Sequence, residues 1–152
     1  MPSPFPLKGR LHHQIPGWLS DGVTFHIRIR CDREQHPALT YPNLADKLLE
    51  SVRRYHVDGR WWCRLFLLMP DHLHALFVFP GATGMSRTIK DWKSFHARCS
   101  GVSWQDGYFD HRIRSPKELD VKYDYIRQNP VVKGLCVKAE DWPLMIELQN
   151  LQ

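Results

Sequence analysis

At 152 residues, 43 % hydrophobic and 24 % charged, the chain is long enough to build a core without disulfide or metal staples. No apolar run reaches the roughly 18 residues that a membrane helix needs, so no membrane partner is expected. Formal charge is +5, which permits a polyanionic partner without requiring one.

The opening MPSPFPLKGR is Pro-rich and lacks an apolar core, so no secretory peptide is expected. Cys31, Cys63, Cys99 and Cys136 stand singly, which fits reduced thiols in a cytoplasmic protein better than a disulfide framework or structural zinc. In VTFHIRIR, Val23, Phe25, Ile27 and Ile29 alternate with Thr24, His26, Arg28 and Arg30, the period of a strand. A helix follows, with Asn43 as expected N-cap and Leu44, Leu48, Val52 and Tyr55 as its apolar stripe. Asp58-Gly59 marks the turn out of it. Two strand-like runs, RWWCRLFLLM and HLHALFVFP, are broken by Pro70-Asp71 and read as a hairpin. Met85, Ile89, Trp92, His96 and Cys99 then recur at helical spacing, up to Gly101. WQDGYFDHRIR reads as a turn and a fourth strand. Ser115-Pro116-Lys117-Glu118 is a capping box that opens a further helix, expected to stop near Asn129 because Pro130 disfavours helical geometry in the residue before it.

The order strand, helix, strand, strand, helix, strand predicts an α+β fold of the ferredoxin-like, split βαβ kind, with an antiparallel sheet packed against helices and one added helix. A single domain over 1–152 is expected, with an N-terminal extension over 1–20 and a tail over 145–152.

Two residues of the hairpin demand a chemical or a structural reason. His72 and His74 are two apart in an apolar strand, so they share a face with Cα atoms about 6.6 Å apart. They are either satisfied polar members of that face or two ligands of one ion, and two ligands hold a metal poorly. A third histidine two positions on would complete a His-x-His-x-His set, but that residue is Leu76. On the last helix Leu119, Tyr123 and Ile126 cluster on one side, making Tyr123 a core residue, whereas Tyr125 and Asn129 project together one turn apart. By the helix alone, these two read better as a surface aromatic and a helix-terminal amide than as a site. His96 falls on an apolar stripe and is expected in the core, as are Trp61, Trp62, Trp92 and Trp142.

Taken together, His72-Leu73-His74 and Tyr125…Asn129 resemble the active-site set of the HUH endonucleases, named for histidine, hydrophobic, histidine. MPDHLHALF resembles the Met-Pro-x-His-x-His signature of the single-tyrosine transposases. WQDGYFDHRIR and YDYIRQNPVVKGL resemble the segments that follow it in the REP-associated tyrosine transposase branch, and LHHQIPGWLSDGVTFHIRIR resembles how such chains enter their first strand. The likeness runs in order over roughly residues 11–144.

The resemblance implies a transposase or endonuclease that cleaves single-stranded DNA beside a hairpin, with Tyr125 as nucleophile and a 5′-phosphotyrosine intermediate. It implies a divalent metal, Mg²⁺ or Mn²⁺, held by His72, His74 and Asn129, with Gln128 as a substitute for the amide. A phenol of pKa about 10 is a weak nucleophile at neutral pH, so the cation's part is to make the phosphate a better electrophile. Arg28, Arg30, Arg87, Lys90, Arg98 and Arg114 are candidate DNA contacts. His111 is a candidate auxiliary residue of the site, and Trp104 a candidate stacking platform for an extruded base. A homodimer that exchanges tyrosines is one arrangement the resemblance allows. Two other readings stand beside it: a non-catalytic nucleic-acid-binding module with Phe77 and Phe79 as stacking aromatics, and a metal phosphoesterase that uses water instead of tyrosine.

Overall fold

Alternation of apolar and polar residues gives β1 (Thr24–Arg30), an inner strand of a five-stranded sheet in a computed structural model that describes residues 22–81 and 84–148 together with Leu19. The helix α1 (Pro42–Val57) follows, then β2 (Trp62–Leu68), β3 (His72–Val78), α2 (Gly84–Cys99), β4 (Phe109–Arg112), α3 (Pro116–Val132) and β5 (Met145–Glu147). A short 3-10 turn, Ala139–Asp141, connects the last two. The sheet order is β4-β1-β3-β2-β5, antiparallel throughout. The fold is α+β and, over β1 to β4, the expected split βαβ arrangement.

The sheet has two apolar faces, each covered by different helices. On one face Ile27, Ile29, Phe66, Leu73, Ala75 and Phe77 meet Leu44, Leu48 and Val52 of α1 and Ile89 and Trp92 of α2. Trp61 stacks on Phe77 with ring centroids 4.0 Å apart. On the other face Leu65, Leu67 and Leu76 pack against Leu119, Tyr123 and Ile126, the stripe expected of α3. A register shift between Cys63 and Leu65 lets Cys63 and Phe66, three residues apart, share the first face.

Local expectations fail at four places. The N-cap of α1 is Tyr41, not Asn43: Pro42, with no N–H to satisfy, takes the first helical position and shifts the start upstream. Helix α3 does not stop at Asn129 but runs through Pro130 to Val132. Pro130 sits in the last turn and is buried with Ile126 and Asn129; its carbonyl still accepts from Leu135 N at 2.8 Å. The segment set apart as a tail begins with β5, which pairs with β2 through Leu65↔Glu147 and Leu67↔Met145. Cys99 is exposed rather than on the buried stripe of α2. The N-terminal extension, apart from Leu19, and the end of the tail from 149 on lie outside the described residues.

Candidate active site

The face covered by α3 carries the histidines. Antiparallel pairing sets Arg28 opposite His74 and Arg30 opposite His72, so one polar patch of β1 and β3 looks toward the C-terminal half of α3. There a cleft of about 470 Å³ is lined by Arg28, Arg30, Met69, Pro70, Asp71, His72, His74, Tyr125, Asn129, Lys133 and Leu135. Tyr125 stands edge-on to His74 with ring centroids 6.2 Å apart. It is 57 % exposed, so its hydroxyl is within reach of a ligand from solvent.

Each histidine has one ring nitrogen engaged behind it. His72 Nδ1 donates to Asp71 Oδ1 at 2.7 Å; a carboxylate only accepts, so this bond leaves the Nε2 lone pair of a neutral ring for another partner. His74 Nδ1 lies 2.9 Å from His26 Nε2 on the neighbouring strand. Burial pushes His74 down to about 3 and His26 down to about 4, and His72 is lowered for the same reason. All three rings are therefore neutral at pH 7, the form in which an imidazole ligates a metal. The hydrogen bond from His72 holds the Asp71 carboxyl below its usual range.

Asn129 supplies the decisive detail. It is 8 % exposed, and its Oδ1 is buried with no hydrogen-bond partner among the described residues. A buried amide oxygen left unpaired costs about 1–3 kcal/mol, so its presence in a cleft beside two imidazoles fits a site built to meet a cation. Among the described residues no group of three His, Cys, Asp or Glu side chains gathers for a metal, and the buried polar side chain beside the two imidazoles on the α3 wall of the cleft is the Asn129 amide. Gln128, the expected substitute, is exposed and does not line the cleft.

The other expected residues divide by face and by engagement. Arg28 and Arg30 are in the cleft, Arg28 with its guanidinium 4.8 Å from the Phe109 ring centroid. Arg87, Lys90 and Arg98 are on α2, which covers the opposite face of the sheet, and so are not brought to the histidines. Arg114 lines a separate groove with Thr24, Arg112 and Leu119. His111 shares the histidine face, opposite His26, but its Nε2 is 3.1 Å from Glu118 Oε2 and it does not line the cleft. Trp104 is half-buried against the core, tilted on Trp92 at 5.6 Å, and donates to the Lys93 carbonyl; it does not line the cleft.

Sequence reasoning missed His26, Lys133 and the part played by Asp71. His26 alternates in phase with Arg28 and Arg30, and Lys133 is one turn beyond Asn129, so both signals are present in the sequence. Their meaning depends on strand register and on the helix continuing through Pro130. Tyr123 is the expected core residue: its hydroxyl donates to Glu147 Oε1 at 2.8 Å, and burial with that carboxylate pushes its pKa well above the ordinary phenol range. Phe77 and Phe79 are buried under α1 and α2, so the stacking surface of a plain binding module is not available.

No family model matches the chain. A Haemophilus influenzae protein curated under the name REP-associated tyrosine transposase is 32 % identical over a 94-residue alignment, covering 50 % of this chain and 53 % of that relative. The chain spans about half the length of the Haemophilus transposase. Among solved structures, a REP-associated tyrosine transposase bound to a REP hairpin superposes with a TM-score of 0.65 at 20 % identity, covering 82 % of this chain and 76 % of that one. At that identity the likeness is one of fold, and it extends to the five-stranded sheet and three helices described above.

Proposed function

We propose that this chain is a metal-dependent single-stranded DNA strand transferase that cleaves beside hairpins, with Tyr125 as nucleophile. The observation that carries the reading is the convergence of Tyr125, His72, His74 and the unpaired Asn129 Oδ1 on one cleft. The relatives support the substrate class, one of them being bound to a hairpin.

A divalent cation, Mg²⁺ or Mn²⁺, held by His72, His74 and Asn129 would polarise the scissile phosphate and stabilise the charge of the transition state. Arg28, Arg30 and Lys133 hold neighbouring phosphates in the cleft as fixed positive charges. The Tyr125 oxygen attacks phosphorus and gives its proton to solvent. The bond from phosphorus to the 3′-oxygen breaks, a free 3′-hydroxyl leaves, and the 5′-phosphate stays on the tyrosine. One phosphodiester replaces another, so attack by a 3′-hydroxyl on the phosphotyrosine rejoins a strand without ATP. Tyr125 stands over a histidine of its own chain, which supports attack by the tyrosine of the same subunit.

The test is incubation with Mn²⁺ and a pool of single-stranded hairpin oligonucleotides, resolved on a denaturing gel. Cleavage that EDTA or His72→Ala abolishes is expected. Cleavage indifferent to both would sink the metal assignment, and cleavage by Tyr125→Phe would move the water-using phosphoesterase to first place.

A further inference from the structure

His26 has no place in the reaction proposed above, yet it is 3 % exposed and its Nε2 is 2.9 Å from His74 Nδ1. Its other nitrogen, Nδ1, is buried with no partner among the described residues. Two neutral arrangements of the pair have the same number of protons. In the first, His26 Nε2–H donates to His74 Nδ1; the proton of His74 is then on Nε2, which blocks that nitrogen as a ligand. In the second, His74 Nδ1–H donates to His26 Nε2; the Nε2 lone pair of His74 is then open to the cleft, and the proton of His26 sits on the unpaired Nδ1.

We infer that His26 is the acceptor that fixes His74 in its metal-presenting tautomer, a positioning residue built into the neighbouring strand. Three features of the geometry support this. His72 meets the same requirement by a carboxylate, Asp71, so both imidazoles are backed at Nδ1, one by an anion and one by a ring. The two rings of the pair lie 30° from parallel with centroids 5.2 Å apart, and Phe109 packs edge-on against His26, so the acceptor is held in place. The arrangement that exposes the lone pair of His74 also leaves a buried N–H unpaired on His26. A bound cation compensates for that arrangement, and without one the opposite arrangement, which leaves only a lone pair unpaired, competes with it.

The inference rests on the assignment of His74 as a metal ligand, and the test separates the two. Mn²⁺ binding to the full chain is measured by calorimetry, with no DNA present, for wild type, His26→Phe, His26→Leu and His26→Gln, with urea unfolding of each as a check on folding. The apolar variants fill the buried site but accept no hydrogen bond; the glutamine carbonyl does. Binding weakened about 10–100-fold in the folded apolar variants, and restored to within a few-fold by His26→Gln, is the expected result. Wild-type affinity in a folded apolar variant would overturn the inference while leaving the ligand assignment intact, as would His26→Gln binding no better than they do. Failure of the wild type itself to bind Mn²⁺ would overturn the ligand assignment and the inference with it.

Discussion

Asn129 shows what residue-scale reading can and cannot reach. Its distance of one helical turn from Tyr125 is legible in the sequence, and so is the phase that separates Tyr125 from Tyr123. That Asn129 rather than the longer Gln128 lines the cleft goes with its burial beside Ile126 and Pro130 in the last turns of α3, which continues past the expected stop. The hydrogen bond between His26 and His74 was equally out of reach, because residues 48 positions apart meet only through strand register. The unpaired Oδ1 leads to a prediction. Asn129→Ala removes the proposed cation donor and a buried unsatisfied acceptor together, so Mn²⁺ affinity is expected to fall by at least about tenfold while stability stays level or rises by about 1 kcal/mol. Calorimetric titration and urea unfolding of the same variant check both halves. Loss of stability equal to a core truncation would mean that Asn129 is a structural residue.

At the scale of elements, α3 is the piece on which the site depends, since it delivers Tyr125, Asn129 and Lys133 to one wall. Its beginning was legible apart from the return half of the capping box: Ser115 Oγ accepts from Glu118 N at 3.1 Å, and Pro116 occupies the first position. The Glu118 side chain goes to Arg114 N and His111 rather than to the cap's own N–H, so it ties β4 to the helix start. Its end was not legible, because burial of Ile126, Asn129 and Pro130 against the sheet outweighs the local preference of a pre-proline residue. Two substitutions separate these influences. Ser115→Ala should lower the stability of the whole domain by about 1 kcal/mol, and Ile126→Ala by about 2–5 kcal/mol, both read from urea midpoints. A smaller loss for Ile126→Ala than for Ser115→Ala would contradict packing as the force that holds α3 on the sheet. β5 was missed for a related reason: Met145–Glu147 is three residues long and becomes a strand only because β2 offers it an edge.

Across the whole molecule, the sheet separates stability from chemistry. One face, under α1 and α2, holds the Trp61, Trp92 and Phe77 core. There His96 is closed in by Ser51 Oγ at 2.7 Å and Ser100 Oγ at 2.8 Å, and burial pushes it down to about 4. Its folded value lies below the ordinary 6.5, so the neutral ring favours the folded state. That stability is fully present above pH 6.5 and is lost as pH falls from there toward 4, by roughly 3 kcal/mol for this one group. His26 and His74 carry shifts of the same sign and steepen the slope. Urea unfolding at pH 7, 5.5 and 4 measures it, and a His96→Gln variant should lose part of the dependence; stability independent of pH over that range would contradict neutral buried imidazoles.

The other face holds the proposed site, and the central proposal is that Tyr125, not Tyr123, forms the covalent bond to DNA. The two tyrosines sit two residues apart with opposite surroundings, one in the cleft and the other hydrogen-bonded to Glu147. The measurement is mass spectrometry of the tryptic peptide after reaction with single-stranded hairpin DNA and Mn²⁺, made on wild type, Tyr125→Phe and Tyr123→Phe. A nucleotide-linked peptide modified at Tyr125, lost in Tyr125→Phe and kept in Tyr123→Phe, is the predicted result. A linkage at Tyr123, or strand cleavage with no linked peptide at all, would contradict it.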